Sequence, residues 1–506
     1  MALGIKGILS NFTALPITEN MHSIHRKRYL VPLLRKVLFV MMMAVPAIGI
    51  GQTTWSLQKC IDHALKNNIT IKQNELNVET SKDRVDQSYA AFLPSLNGNI
   101  SHGYNFGRTI DPFTNTFATN RVLSENFSLS SSMTLFAGFQ LHNTLKQSRL
   151  DYLSSSYDLK KLGNDISLNI VSDYLQVLFA MENLTIAEQN IVLIKKQQTN
   201  TNNLVEAGSL PRGSLLEINA QVATDEVALI NAQNNLDLAY LNLKQMLDVD
   251  TAKDFAIEKP KMEASPFLIT SNELGSIYST AEKNQPEVLS ADIKLKSSEV
   301  GLNIARASRS PRLTMSGSIG TGYSDAREKL ASYSITNYYP IIGVTDTLNI
   351  PVRSIIPNTS ATYEKTPFRE QLDDNLNKSF GFNLTLPFFN GWSAKTSISR
   401  AKISLQSAKY NSEQVRLTLR KSIEQAYYDA TASYKKYIAT QKSVESLTEA
   451  YKYSQQKFEV GLLNSYDFLL SKNNLNKSES DLLQAKYDYI FKSKILDFYQ
   501  GKSLTF

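Results

Sequence analysis

Apolar and polar residues alternate along this chain with two different periods, in an order that occurs twice. From Leu57 the apolar positions Leu57, Ile61, Ala64 and Leu65 follow the helical spacing, which predicts a helix over about 57–92 that Pro94 ends. The period then drops to two. Leu96, Gly98, Ile100, His102, Tyr104 and Phe106 alternate with polar or small residues, and so do Phe127, Leu129, Ser131, Met133 and Leu135. Both stretches predict strands of about ten residues with one apolar face. After Gly138 the period returns to helical. Leu153, Tyr157, Leu162, Ile166, Ile170, Tyr174, Leu178 and Met181 form one stripe, and no proline stands between 138 and 208. At 1.5 Å per residue such a helix extends about 105 Å. That length suits a coiled coil or a helical tube, not a globular core. Gly208 breaks the pattern, and a returning helix is predicted over about 214–247.

The same order begins again at Leu274. Leu57 and Pro94 are 37 residues apart, as are Leu274 and Pro311. Phe136-Ala137-Gly138-Phe139 matches Phe389-Asn390-Gly391-Trp392. Glu206-Ala207-Gly208-Ser209-Leu210 matches Glu459-Val460-Gly461-Leu462-Leu463, and 70 residues separate the glycines in each copy. Two matched spacings mark a duplicated unit of helix, strand, strand, helix, helix. The offset is 217 early in the unit and 253 late, so the second copy holds 36 extra residues between Tyr323 and Phe380. The expected segments are a first copy at 52–250, a linker at 251–272, a second copy at 273–500 and a tail at 501–506. The insertion at 325–377 (Tyr338-Tyr339-Pro340, Pro351, Pro357, Pro367) reads most simply as a loop between two strands, extracellular if those strands belong to an outer-membrane channel.

The strands decide the class. Strands of about ten residues with alternating aromatics fit a transmembrane barrel. A soluble sheet packed on the helices is the competing reading. Four strands per chain cannot close a membrane barrel, so a barrel requires several copies. No segment after the N-terminus has 18 consecutive apolar residues, which predicts no transmembrane helix.

The N-terminus adds an export expectation. Arg26, Lys27, Arg28, Arg35 and Lys36 precede the apolar run Val37–Val45. Gly49 and Gly51 then stand before Gln52 at cleavage spacing. Residues 1–51 read as a signal peptide, with Met21 a possible start. The formal charge of +7 shrinks to +2 once this segment is set aside, because it holds six basic residues and one acid. No basic surplus remains to neutralise nucleic-acid phosphates. Cys60 lies within the first helical pattern and reads as a small buried residue.

Taken together, these motifs resemble the TolC-like outer membrane efflux protein family over about 53–500. The resemblance implies a mainly α fold with a β-barrel portion. It implies a homotrimer whose three copies form a twelve-stranded outer-membrane barrel, continued by a periplasmic α-helical barrel. It implies a periplasmic adaptor and an inner-membrane transporter (RND, ABC or MFS type) as partners, outer-membrane lipid around the barrel, and no cofactor. The function implied is the exit duct of a tripartite efflux or type I secretion system.

Two sets of site residues carry over. Such families narrow the periplasmic end with aspartates six and nine residues beyond the second hairpin glycine. Asp467 stands at the first position, Leu470 at the second, and Ser214 at the corresponding place in the first copy. Leu463 replaces the basic residue common two places after that glycine, leaving Arg212 and Glu217 as substitutes for the polar latch. Asp467 equally suits a helix N-terminus, where an acid complements the dipole. Ala207, Gly208, Ser209, Leu210, Val460, Gly461, Leu462 and Leu463 fall at the tips that adaptors contact, where glycine also serves as a helix C-cap.

No enzyme chemistry is proposed by spacing. The five histidines (22, 25, 63, 102, 142) are scattered, and no Cys/His metal pattern or phosphate loop occurs. Asp373 and Asp374 lie in the insertion and read as surface. A periplasmic coiled-coil scaffold or adaptor without a pore is the alternative, and an exported enzyme with helical decoration stands behind it.

Overall fold

A computed structural model describes residues 54–504 apart from 111–114, 116, 119–120, 251–254, 261, 263–265 and 268–272. The signal-peptide expectation at 1–51 and most of the 251–272 linker lie outside the described residues.

Each copy begins with a broken helix. In the first copy α1 (Leu57–Asn67) and α2 (Ile69–Ala90) are separate, and in the second α5 (Leu274–Asn284) and α6 (Pro286–Ala307) are. This corrects the single helix expected over 57–92. Asn68 leaves the helical region and caps α2, accepting bonds from the Thr70 and Ile71 amides. Its amide nitrogen donates to the Met246 carbonyl. In the second copy Pro286 opens α6, and a residue before proline prefers the extended region that Gln285 adopts. Arg416 spans this second break, pairing with Asp292 on α6 at 2.8 Å and Glu282 on α5 at 3.0 Å.

The strands follow. β1 (Ser95–Asn105), the two-residue strands β2 (Thr109–Ile110) and β3 (Phe117–Ala118), and β4 (Val122–Ala137) belong to the first copy. The second copy has β5 (Arg312–Ser324), β6 (Glu328–Tyr338), β7 (Ile341–Val344), β8 (Pro351–Arg353), β9 (Ile356–Lys365), the short helix α7 (Phe368–Asp374) and β10 (Asn377–Thr385). One antiparallel sheet runs β1-β4-β5-β10, so the copies meet at β4–β5 and both edges are free among the described residues. The insertion is structured, not a plain loop: β6 pairs with β9 and β7 with β8 in ribbons separate from the main sheet.

Two helices of 67 residues follow the strands: α3 (Gln140–Glu206) and α8 (Ser393–Glu459). Each starts after two left-handed residues, Gly138-Phe139 and Gly391-Trp392. The returning helices are α4 (Arg212–Leu247) and α9 (Ser465–Tyr499). α3 packs lengthwise against α1, α2, α4 and α6, and α8 against α5, α6 and α9. The Asn68–Met246 bond sits where the short helices of the first copy meet end to end beside α3. One window of α3 is apolar enough by composition to cross a membrane, against the expectation of no such helix. Tyr174 in that helix is buried, with its hydroxyl donating to the carbonyls of Trp55 and Glu258. Those bonds suit a helix packed within protein.

Candidate functional site

The two faces of the main sheet differ in kind. The register places Ile100, Phe127 and Thr321 in one row, and Gly98, Leu129, Ile319 and Lys378 in the next. On this side stand Leu96, Ile100, Leu129, Phe380, Phe382 and Leu384, all exposed in the single chain. The opposite side carries Ser95, Asn97, Asn99 and Ser101 on β1, then Ser124, Asn126, Ser128, Ser130 and Ser132 on β4. Thr314, Ser316 and Ser318 follow on β5, with Ser379 and Asn383 on β10. Strict alternation produces this split, because successive strand side chains point to opposite faces. On the apolar side His102 and Glu125 pair across β1–β4 at 2.6 Å.

At the far ends of the long helices the chain turns twice. Gly208 has φ +73° and Gly461 φ +74°. Their amides bond back to Val205 and Phe458, and the next amides (Ser209, Leu462) reach Leu204 and Lys457, closing each helix. Ala207, Gly208, Ser209, Val460, Gly461 and Leu462 are exposed. Leu210 and Leu463 instead lean on a core of Ile191, Ile194, Ile218, Val222, Phe458 and Phe468. The Phe458 and Phe468 rings stack at 4.7 Å and join the two arms of the second hairpin.

Asp467 is exposed in the first turn of α9. Asn464 caps this helix by accepting from the Asp467 amide, and its own amide group donates to the Asp467 carboxylate at 2.8 Å. Leu470, one turn on, is also exposed. Ser214 is elsewhere: it is buried against Ser465, at 3.3 Å. The structure therefore sets Asp467 and Leu470 on one exposed flank and Ser214 in a contact between copies.

That contact is the richest polar arrangement near the tips. Ser465 donates to Glu217 on α4. Asn473 donates to Gln221 at 3.2 Å, Gln221 to Asp225 at 2.7 Å, and Lys472 to Asp225 at 2.6 Å. Sequence reasoning found Glu217 and missed Gln221, Asp225, Lys472 and Asn473. Arg212 forms no ion pair among the described residues. Further up, the Tyr487 hydroxyl on α9 bonds Glu182 on α3 at 2.8 Å. Burial, reinforced by that carboxylate, pushes the phenol above its ordinary range. Among the described residues no group of His, Cys, Asp and Glu is placed to hold a metal.

A family model described as outer membrane efflux protein matches residues 60–248 and 277–501. The chain is 22% identical over 292 residues to the cation efflux system protein CusC of Escherichia coli, covering 56% of this chain and 60% of that one. It is 21% identical over 450 residues to the outer membrane protein TolC of Vibrio cholerae, covering 88% of this chain and 91% of that one. Among solved structures, the Campylobacter jejuni CmeC outer membrane channel superposes with TM-score 0.67 at 17% identity. That superposition covers 88% of this chain and 85% of CmeC.

Proposed function

Since this chain belongs to the outer membrane efflux protein family, we propose that it is the exit duct of a tripartite efflux or type I secretion system. Three copies place twelve strands in one outer-membrane barrel, and their long helices hang below it as a periplasmic tube. The two-faced sheet with both edges free carries this reading. Its apolar side faces lipid and its Ser/Thr/Asn side faces the lumen. Closure follows if β10 of one copy pairs with β1 of the next. The repeat offsets carry the observed Ser131–Gly317 pair onto Leu384 of one copy opposite Ile100 of the next. A coiled-coil scaffold without a pore leaves the apolar side uncovered. Residues 1–51 act as the export signal, and 251–272 links one copy to the next in sequence.

The tips then sit at the periplasmic end. Exposed Ala207, Gly208, Ser209, Val460, Gly461 and Leu462 meet a periplasmic adaptor, while Leu210 and Leu463 hold the turns in shape. Through the adaptor the duct serves an inner-membrane transporter. Asp467 and Leu470 face the axis from three copies, where crowded carboxylates attract cations. The Ser465–Glu217, Asn473–Gln221 and Lys472–Asp225 contacts, with Ser214, hold the hairpins of the two copies together in the narrow state.

The test is planar-bilayer conductance of the detergent-purified protein, with its mass measured in the same detergent. Discrete channels from a particle of three chains support the duct. A monomer that neither partitions nor conducts overturns it.

A further inference from the structure

The insertion carries an apolar surface that nothing among the described residues covers. In the β6–β9 ribbon, Leu330 opposes Tyr363, Tyr333 opposes Ala361, and Ile335 opposes Thr359. These positions share one side, and Leu330, Tyr333, Ile335 and Tyr363 are 53–62% exposed. The other side is a polar ladder from Lys329 to Thr336, with Tyr338 opposite Ile356 at its far end. Ser332 bonds Thr362 and Ser334 bonds Ser360, each at 2.7 Å. An isolated two-stranded ribbon is marginal in water, so an apolar side of this extent needs a cover.

The base of the ribbon tells which way that side faces. Helix α7 lies on the apolar side of the main sheet: the Phe368 ring meets Tyr323 at 5.2 Å and Phe127 at 6.3 Å, and Thr321 bonds the Leu372 carbonyl. Gln371, fully buried, fixes this helix to Ser324 and Thr366. Lys329 reaches Glu370 of α7 at 2.7 Å. Lys329 and Glu364 belong to the polar side of the ribbon. At the base the polar side is thus turned toward α7, on the lipid side of the sheet, which directs the apolar side of the ribbon toward the lumen. The pattern is inverted relative to the barrel. Below, apolar groups point out to lipid; in the ribbon, polar groups point out and apolar groups point in. Such an inversion suits a segment surrounded by water on the outside and by its own copies on the inside.

We propose that the 328–365 ribbons of three copies meet over the outer mouth through these apolar sides and constrict it as an apolar plug. This rests on the trimeric duct proposed above. Apolar constrictions impede ions by excluding water, so the plug narrows the mouth to a small residual conductance until cargo parts the ribbons.

The test uses the full chain, purified as the assembled particle. Ile335→Cys is expected to link chains in pairs under mild copper–phenanthroline oxidation. Ser334→Cys, on the polar side, is expected not to. Tyr333→Ser with Ile335→Ser is expected to raise single-channel conductance several-fold at unchanged particle mass. The Leu384→Cys/Ile100→Cys pair reads barrel closure separately. If that pair links but Ile335→Cys links no better than Ser334→Cys, the plug is overturned. It is overturned equally if a fluorophore attached to the thiol of the Ile335→Cys variant is quenched by spin-labelled lipid, which places the ribbon on the membrane. A single-chain particle without the 100–384 link overturns the assembly and the plug with it.

Discussion

The Lys472 ammonium lies 2.6 Å from the Asp225 carboxylate, with the side chains only 4% and 9% exposed. The two residues are 247 positions apart, one on each copy's returning helix. Gln221 occupies the second carboxylate oxygen. Withdrawn from water, such a pair gains little over an apolar contact, but breaking it strands a charge. It fixes which turn of α4 lies beside which turn of α9.

Lys472→Met is therefore expected to cost about 3–5 kcal/mol locally, because Asp225 is left buried and unpaired. Adding Asp225→Leu is expected to recover most of this. Hydrogen exchange of the α4 and α9 amides is the readout, and under the proposed latch the single variant also conducts more in bilayers. Equal protection in the single variant and the parent would remove the pair from the fastening.

Gly138→Ala is expected to destabilise the junction of strand and helix. An added Cβ falls 2.4 Å from the Ser310 Cβ and 3.3 Å from the Ala307 carbonyl, at φ +61°. Gly391→Ala meets nothing within 4 Å in the same chain, though its φ is +59°. Thermal melts should fall further for Gly138→Ala, and Ser310→Gly should restore part of that loss. A full restoration would mean that the backbone angle costs nothing.

Cys60 is completely buried, and burial pushes its thiol up to about 12. Its folded form keeps a proton that the unfolded chain releases near pH 9, so stability falls as pH rises through that window. Iodoacetamide at pH 8 is expected to leave the native protein unlabelled and to label it in denaturant. Denaturation midpoints measured from pH 8 to 11 should fall less steeply in Cys60→Ala. Rapid native labelling would show that the first helix opens.

Asp467→Asn keeps the Asn464 cap, which uses the residue's backbone amide. It is expected to lower cation preference and block by multivalent cations. The melting temperature should barely move, since a first-turn acid contributes about 0.3–1 kcal/mol. An unchanged conductance profile would take Asp467 out of the constriction.

Much of this fold was legible because period and spacing are local. Gly138 and Gly208, Gly391 and Gly461 bracket helices whose limits fall within two residues of those glycines. Pro94 and Pro311 stand directly before their strands. The break at Asn68 escaped because apolar spacing runs on through it, while the decisive fact is a cap bonded to Met246 far along the chain. The ribbon at 328–365 escaped because Pro340, Pro351 and Pro357 read as loop punctuation, although Tyr333 and Ile335 already alternated with serine and threonine. Lys472 and Asp225 looked like ordinary helix charges. Nothing in either neighbourhood announces a partner two hundred residues away. The identities of the tip residues were visible from the glycines, but not that Leu210 and Leu463 serve the core.

The two 67-residue helices bind the halves of the gene to a common fate. One residue added to α3 advances everything beyond it by about 1.5 Å and turns it through about 100°. That slip would misplace Ser214 and Asp225 against Ser465 and Lys472 unless α8 gained the same residue. Length can thus change only by paired edits, with the shorter helices alongside adjusted to match. The distance this protein reaches from the membrane is inherited as one quantity written twice, and neither copy is free to revise it alone.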